Sequence, residues 1–351
     1  MTALTVPERP AKDASLRPLP WRRMAWVTWR HHRIALGGVA VFLVALAAWL
    51  WIAGLQLHHA YATAIACHPA GSAACSGLIL NFDALNVVLK GGFVLQPLPA
   101  LIGAFVGAPL LAREIETGTF RYAWTQGFGR WRWTLAKLVA VGVAVAAVAE
   151  AFSVLVSWYY QPYLATGNGT VFSSASPLSP GLFDLRGVAF AAWTLAAFEI
   201  GALAGMLIRR VVPAIVATLA AYTCLALVAG NVLRQHYLTP LTTKNLNVPG
   251  SAWVTSEWWT KGGKFAFGGR PPVDLLQQLC PSSVVAGPGG RVGISGSSPT
   301  QCLVQHGYTQ WASYQPASHF WPFQWIEGGW LLVLSALLVA VTIWLVRRRA
   351  A

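Results

Sequence analysis

Long apolar runs alternate with short polar segments along most of this chain. Six runs stand out: Ile34–Leu55, Phe93–Ala112, Leu138–Tyr160, Gly187–Ile208, Val211–Val232 and Gly328–Val346. Helices of about 20 apolar residues cross a hydrocarbon core of ~30 Å, so the pattern predicts six transmembrane spans. Spans four and five are split only by Arg209–Arg210, with Pro213 just inside the next helix. The combined run is too long for one crossing, so the arginine pair predicts a tight hairpin. Between spans two and three lies a short charged segment holding Arg113, Glu114, Glu116, Arg121, Arg130, Arg132 and Lys137. It is too short to be a domain, and it is fixed to two membrane helices where a soluble partner can push on them.

Composition agrees with the membrane reading. Hydrophobic residues make up 56% and charged residues 10%, against roughly 25% charged in soluble domains. Lys and Arg set the orientation. The N-terminal tail holds seven, the second-to-third connection five, the Arg209–Arg210 turn two and Arg347–Arg349 three, which is 17 of 25. The positive-inside rule therefore puts both termini and the charged connection in the cytoplasm. The net charge of +14 then faces anionic lipid and gives no nucleic-acid footprint. No cleavable signal peptide is visible, because the first apolar run is too long and lacks a small-residue cleavage site. Richness in Ala, Val, Gly and Trp, with Arg over Lys, points to a GC-rich bacterium, an actinobacterium, and to its cell membrane.

The segments between spans differ in kind. Met1–Pro20 is polar and Pro-rich and is read as disordered. Trp21–Arg33 has helical periodicity, with Trp21, Met24, Ala25, Thr28 and Trp29 opposite Arg22, Arg23, Arg30 and Arg33. Such a helix lies in the headgroup plane as an elbow before span one. In the first outer loop, Leu78–Leu89 is read as a short surface helix. The second outer loop, Gln161–Arg186, is rich in Gly, Ser and Pro, and its Asn168-Gly169-Thr170 sequon carries little weight. The last outer segment, 233–327, alone is large enough for a small folded unit, and it ends in an aromatic belt, Ser318–Gly329. With so little core it needs a disulfide or the membrane surface for stability. Cys67, Cys75, Cys280 and Cys302 fall outside and admit three pairings. Pairing within each loop is favoured because the loops attach to different helices. Cys224, inside span five, is read as a small buried hydrophobe.

Catalytic and nucleotide-binding chemistry finds no motif. Gly262-Gly263-Lys264-Phe265 lacks the hydroxyl of a phosphate loop, and Gly287–Gly296 misses the dinucleotide spacing. HExxH, GxSxG and CxxC are absent, and the adjacent pairs His31–His32 and His58–His59 put no two ligands on one helix face, so no metal site is expected. Any ATP that drives this chain binds a separate subunit. Glu150 and Glu199 are the ionisable groups deep in the spans, each about 12 residues into its helix and so near mid-membrane. Desolvation disfavours the anion there. They read either as a polar floor in a translocation path or as carboxyls bonded to another helix through Ser153, Thr194 or Tyr222. Gly103-x-x-x-Gly107 and Gly201-x-x-x-Gly205 allow close backbone approach, read as packing within the bundle. Pro97, Pro99 and Pro109 kink span two or set its ends.

The stretch GAPLLAREIETGTFRYAWTQ (Gly107–Gln126), followed by Arg130–Leu138, resembles permease subunits of actinobacterial ATP-binding-cassette (ABC) transporters of the type-2 exporter class. FDLRGVAF (Phe183–Phe190), LRQHYLTPL (Leu233–Leu241) and YQPASHFWPFQWIE (Tyr314–Glu327) resemble that family too. The resemblance implies an all-α integral membrane protein with six spans, an N-terminal elbow (1–33 with its tail) and a coupling helix within 113–137. It further implies 34–232 as the first five spans, 233–327 as a disulfide-bonded outer lid or small domain, and 328–351 as span six with its tail. Two permease halves, identical or sister chains, would work with two ATPase subunits that carry ATP and Mg, and this chain would bind no cofactor. The resemblance places docking on Arg113, Glu114, Glu116, Thr117, Gly118, Arg121 and Trp124. The function implied is export of an amphiphilic or drug-like substrate by alternating access. The rival is a sensory or structural membrane protein that binds a ligand through its outer loop and signals to a cytoplasmic partner.

Overall fold

The computed structural model describes residues 21–68, 72–85, 94–118, 130–165, 176–244, 248–281, 284–286, 292–294 and 299–349. Among them six helices are long and apolar enough to cross a membrane: span one Gly37–Ile65, span two Leu98–Glu116, span three Trp131–Tyr159, span four Gly187–Ile208, span five Val211–His236 and span six Ala317–Arg348. Spans two, three, five and six all pack on span four, whereas span one packs on span three and on the short helix Ala73–Leu85. Span four can take the centre because, apart from Thr194 and Glu199, its sequence is apolar on every face and rich in Ala and Gly, which lets neighbouring backbones come close.

The closest approach is between spans two and four. A Cβ added at Gly103 would overlap the Ala197 carbonyl, one at Gly107 the Phe198 carbonyl, one at Gly201 the Gly103 carbonyl and one at Gly205 the Ala108 carbonyl. Both glycine motifs therefore face each other inside one bundle. Along this seam span two widens into a π-helical turn, Gly103–Gly107, just before Pro109. Proline has no N–H to continue the regular ladder, and a wider turn absorbs that loss. Pro97 and Pro99 sit at the start of the helix and set its outer end.

Spans four and five are joined by the two-residue turn foreseen at Arg209–Arg210. Arg209 closes span four in the left-handed conformation (φ 60°), its N–H donating to the Gly205 carbonyl, and Arg210 is extended. A left-handed non-glycine residue costs about 1–2 kcal/mol, which the turn accepts in return for its tightness.

Several expectations need correction. The chain is not all-α. The segment before span six holds a four-stranded antiparallel sheet in the order β1-β6-β2-β3: β1 Leu241–Lys244, β2 Trp253–Lys261, β3 Lys264–Gly268 and β6 Tyr308–Gln315. A two-stranded ribbon, β4 Val284–Ala286 with β5 Val292–Ile294, accompanies it. Alternating aromatic and β-branched residues drive β2 and β6. Gly262 and Gly263, both with positive φ (55° and 78°), turn the chain between β2 and β3 as such a two-residue hairpin requires. One face of the sheet buries Trp259 and Tyr308 against Leu276 and Leu303 of the helices Val273–Leu279 and Pro299–Gln305.

The spans also run further than the apolar runs did. Span one belongs to a continuous helix from Trp21 to Ile65, so no separate elbow is seen at Trp21–Arg33. No proline stands at the expected boundary to break it, and Gly37 and Gly38 just beyond are wound into the helix. The span-six helix starts at Phe320, inside the aromatic belt. Cys224 is exposed on the outer face of span five, where an apolar surround outside the chain suits it as well as a core. Met1–Pro20, Asn168–Thr170 and Gly287–Arg291 lie outside the described residues.

Candidate functional site

At the end of the bundle where span two meets span three, charged side chains bind the helices to one another. The Glu114 carboxylate accepts from the Lys137 ammonium at 2.6 Å, and the same ammonium donates to the Leu110 carbonyl at 3.0 Å. This ties span two to span three. Glu116 Oε2 accepts the Val211 backbone N–H at 3.1 Å, tying span two to the first turn of span five. Orphan N–H groups at a helix start favour such a carboxylate. Arg347 lies over the Trp131 ring at 4.5 Å, which joins span six to span three at the same end. Arg113 and Thr117 are exposed, and Gly118 turns the chain out of the helix with φ 71°. Arg121 and Trp124 lie outside the described residues. Glu114 and Glu116, expected at a partner's surface, are thus also used to hold the helix ends together.

The mid-membrane acids occupy different surroundings. Glu199 is 2% exposed, and its Oε2 has no hydrogen-bond partner among the described residues. It lies against Gly142 of span three, where an added Cβ would stand 3.6 Å from Oε1. Ser153 donates to the Gly187 carbonyl and Thr194 to the Phe190 carbonyl, so neither hydroxyl is spent on Glu199. Glu150 is on the exposed face of span three.

At the opposite end, three charges that sequence spacing did not single out form one buried cluster. Arg234, 0% exposed, donates from Nε to Glu327 Oε2 at 3.1 Å and from Nη2 to Glu327 Oε1 at 2.7 Å. Its Nη2 also bonds Asp184 Oδ1, and the guanidinium lies 4.4 Å from the Phe183 ring centroid. Trp193 Nε1 donates to Glu327 Oε1 at 2.8 Å. The cluster joins spans four, five and six with the short helix Pro180–Phe183. Gln324 reinforces it by accepting from the Ala189 N–H at 2.8 Å and donating to the Phe183 carbonyl at 3.1 Å. Span five needs this support. It leaves regular α winding for a π turn, Ala229–Leu233, and a 3₁₀ turn, Arg234–His236, just where Arg234 sits. The signal available in the sequence was that Asp184, Arg234 and Glu327 each fall in one of the three shorter segments quoted above.

Asp184 carries a pH consequence. Burial raises its carboxyl to about 7, with Glu327 adding to the effect and Arg234 opposing it. Below about pH 7 the folded chain therefore keeps a proton on Asp184 that the unfolded chain releases nearer pH 4. Stability from this group is present at low pH and is lost as pH rises toward and through 7. Thermal midpoints of the purified protein are expected to fall across that window, and Asp184→Asn to flatten the fall. An equal slope in the variant would assign it to other groups.

Both cysteine pairs named from the sequence lie at disulfide distance, with Cα separations of 5.7 Å for Cys67 and Cys75 and 6.1 Å for Cys280 and Cys302. The first ties the end of span one to the helix Ala73–Leu85. The second clamps the two helices under the sheet.

Neither a curated protein nor a solved structure matches this chain. A family model does: the one described as ABC-2 membrane transporter related covers residues 40–234. That region holds spans two to four whole, all but the ends of spans one and five, Glu114, Glu116 and Lys137, and two of the three cluster charges. On that match, the chain belongs to the ABC-2 membrane transporter related family.

Proposed function

We propose that this chain is the permease subunit of an ABC exporter. Two permease halves, two copies or a copy with a sister chain, span the cell membrane with both termini in the cytoplasm. Two separate ATPase subunits bind ATP and Mg and press on the segment that begins at Arg113. The cargo is an amphiphilic or drug-like molecule, and Glu199, buried at mid-depth, faces its path. The carrying observation is the bracket of Glu114, Glu116 and Lys137, which connects the end of span two to spans three and five. Force applied there reaches three helices at once, all of which pack on the central span four.

Charge reversal at Glu114 or Glu116 would break these internal ties together with any docking contact. Arg113 is the cleaner probe, being exposed and outside the bracket. The chain purified from its native membrane is expected to bring an ATP-hydrolysing subunit with it. Arg113→Glu is expected to weaken that association about tenfold, as reversal of an interface charge does, with an unchanged thermal midpoint. Purification without any ATP-hydrolysing partner would sink the exporter reading, and an Arg113→Glu complex of full affinity would move the docking surface elsewhere.

A further inference from the structure

Two arginines lie near each other in the fold at the sheet end of the bundle, and their charges are treated in opposite ways. Arg234 has two carboxylates, Asp184 and Glu327. Arg186 stands two residues beyond Asp184 in the chain, yet among the described residues no carboxylate is paired with it. Its Nε and Nη1 are both buried and have no hydrogen-bond partner among the described residues. The guanidinium rests on Phe320, whose ring centroid lies 5.1 Å away, a contact that leaves these two donors unused. Burial pushes Arg186 down to about 10 with no opposing charge to offset it. At neutral pH it is still a cation. A half-buried, unpaired cation is costly, and orphaned buried donors are rare without a bound group.

The depth identifies the chemistry. Phe320 opens the span-six helix, and Trp321 (56% exposed) and Trp325 (64% exposed) follow on its outer surface. Aromatic rings of this kind sit at headgroup level in a bilayer. At that level the plentiful anion is a phosphodiester, and a guanidinium fork matches its oxygens. We propose that Arg186 is the anchor of a binding site for the headgroup phosphate of an anionic lipid in the leaflet at the sheet end of the bundle. The site is independent of the ATPase-docking segment at the other end.

The test uses the full chain in nanodiscs of phosphatidylcholine with or without phosphatidylglycerol, followed by detergent extraction and a count of lipid retained by mass spectrometry. Wild type is expected to retain phosphatidylglycerol over phosphatidylcholine, and Arg186→Gln to lose that preference about tenfold, the scale of a charge-assisted bond. Arg186→Lys, which keeps the charge and loses the fork, is expected to fall between. An Arg186→Gln variant with undiminished preference overturns the site. So does a wild-type chain with no preference at all, a result that needs no variant to fold. Protection of the wild type by inorganic phosphate in pure phosphatidylcholine, absent in Arg186→Gln, would assign the donors to soluble phosphate and overturn the lipid assignment.

Discussion

Arg234→Leu is expected to leave little stably folded protein. The substitution removes the guanidinium and strands Glu327, which is 0% exposed, beside a mostly buried Asp184. Breaking a buried ion pair by deleting one partner costs about 3–5 kcal/mol, a large share of the 5–15 kcal/mol by which a domain is stable. The damage falls where span five is wound as π and 3₁₀ turns, so the regular helix ladder cannot take over. It also falls at the root of the sheet, because β1 follows span five and β6 leads into span six. The measurement is the thermal midpoint in detergent, read by tryptophan fluorescence. Neutralising the cluster as a whole, with Arg234→Met, Glu327→Gln and Asp184→Asn together, is expected to recover most of the loss, since no buried charge then lacks a partner. A stability of Arg234→Leu within ~1 kcal/mol of the parent would show that packing, and no charge cluster, holds these ends.

The membrane fold was legible because the bilayer imposes a length on every span. Apolar runs and the Arg209–Arg210 break located six helices, and their lengths differed from observation mainly where helices continue past the apolar core, as at Gln56–Ile65 and Phe320–Glu327. The sheet was missed for a different reason. Strand signals are short, and in 233–327 they were hidden among glycine, proline and aromatic residues. The pair Gly262-Gly263 between two aromatic, β-branched runs is a hairpin signal that a search for phosphate loops passes over. Spacing alone does not reveal the charge cluster. Arg234 is 50 residues from Asp184 and 93 from Glu327, and no periodicity links charges across such distances. Taken singly, each is an ordinary polar residue near a helix end. Glu114 and Glu116 show the converse. Their position at the charged connection was foreseen, but whether a carboxylate faces a partner or a neighbouring helix depends on packing that local sequence does not encode.

Gly201→Val is expected to be as damaging as the loss of Arg234, by a purely steric route. A Cβ at Gly201 overlaps the Gly103 carbonyl oxygen and comes within 2.8 Å of the Ala108 nitrogen. Both obstacles are backbone atoms, so no rotamer change relieves the clash. Gly103, Gly107 and Gly205 are closed off in the same way by backbone of the facing helix, and opening the seam at one point therefore strains all four. Overpacking costs about 1–3 kcal/mol where side chains can shift, and this site is expected at or above the upper end. Gly230→Val is the control, because an added Cβ there meets nothing within 4 Å. Loss of monodisperse protein for Gly201→Val, with Gly230→Val near wild type, is the expected pair of results in gel filtration and thermal melts. Similar behaviour of the two variants would mean that the seam opens freely, and it would also remove the rigid link through which motion at Glu116 passes into span four. If the seam is rigid, span two can answer a push at its charged end only by carrying span four with it. Movement at that charged end then arrives at Trp193 and the Glu327 cluster beyond it.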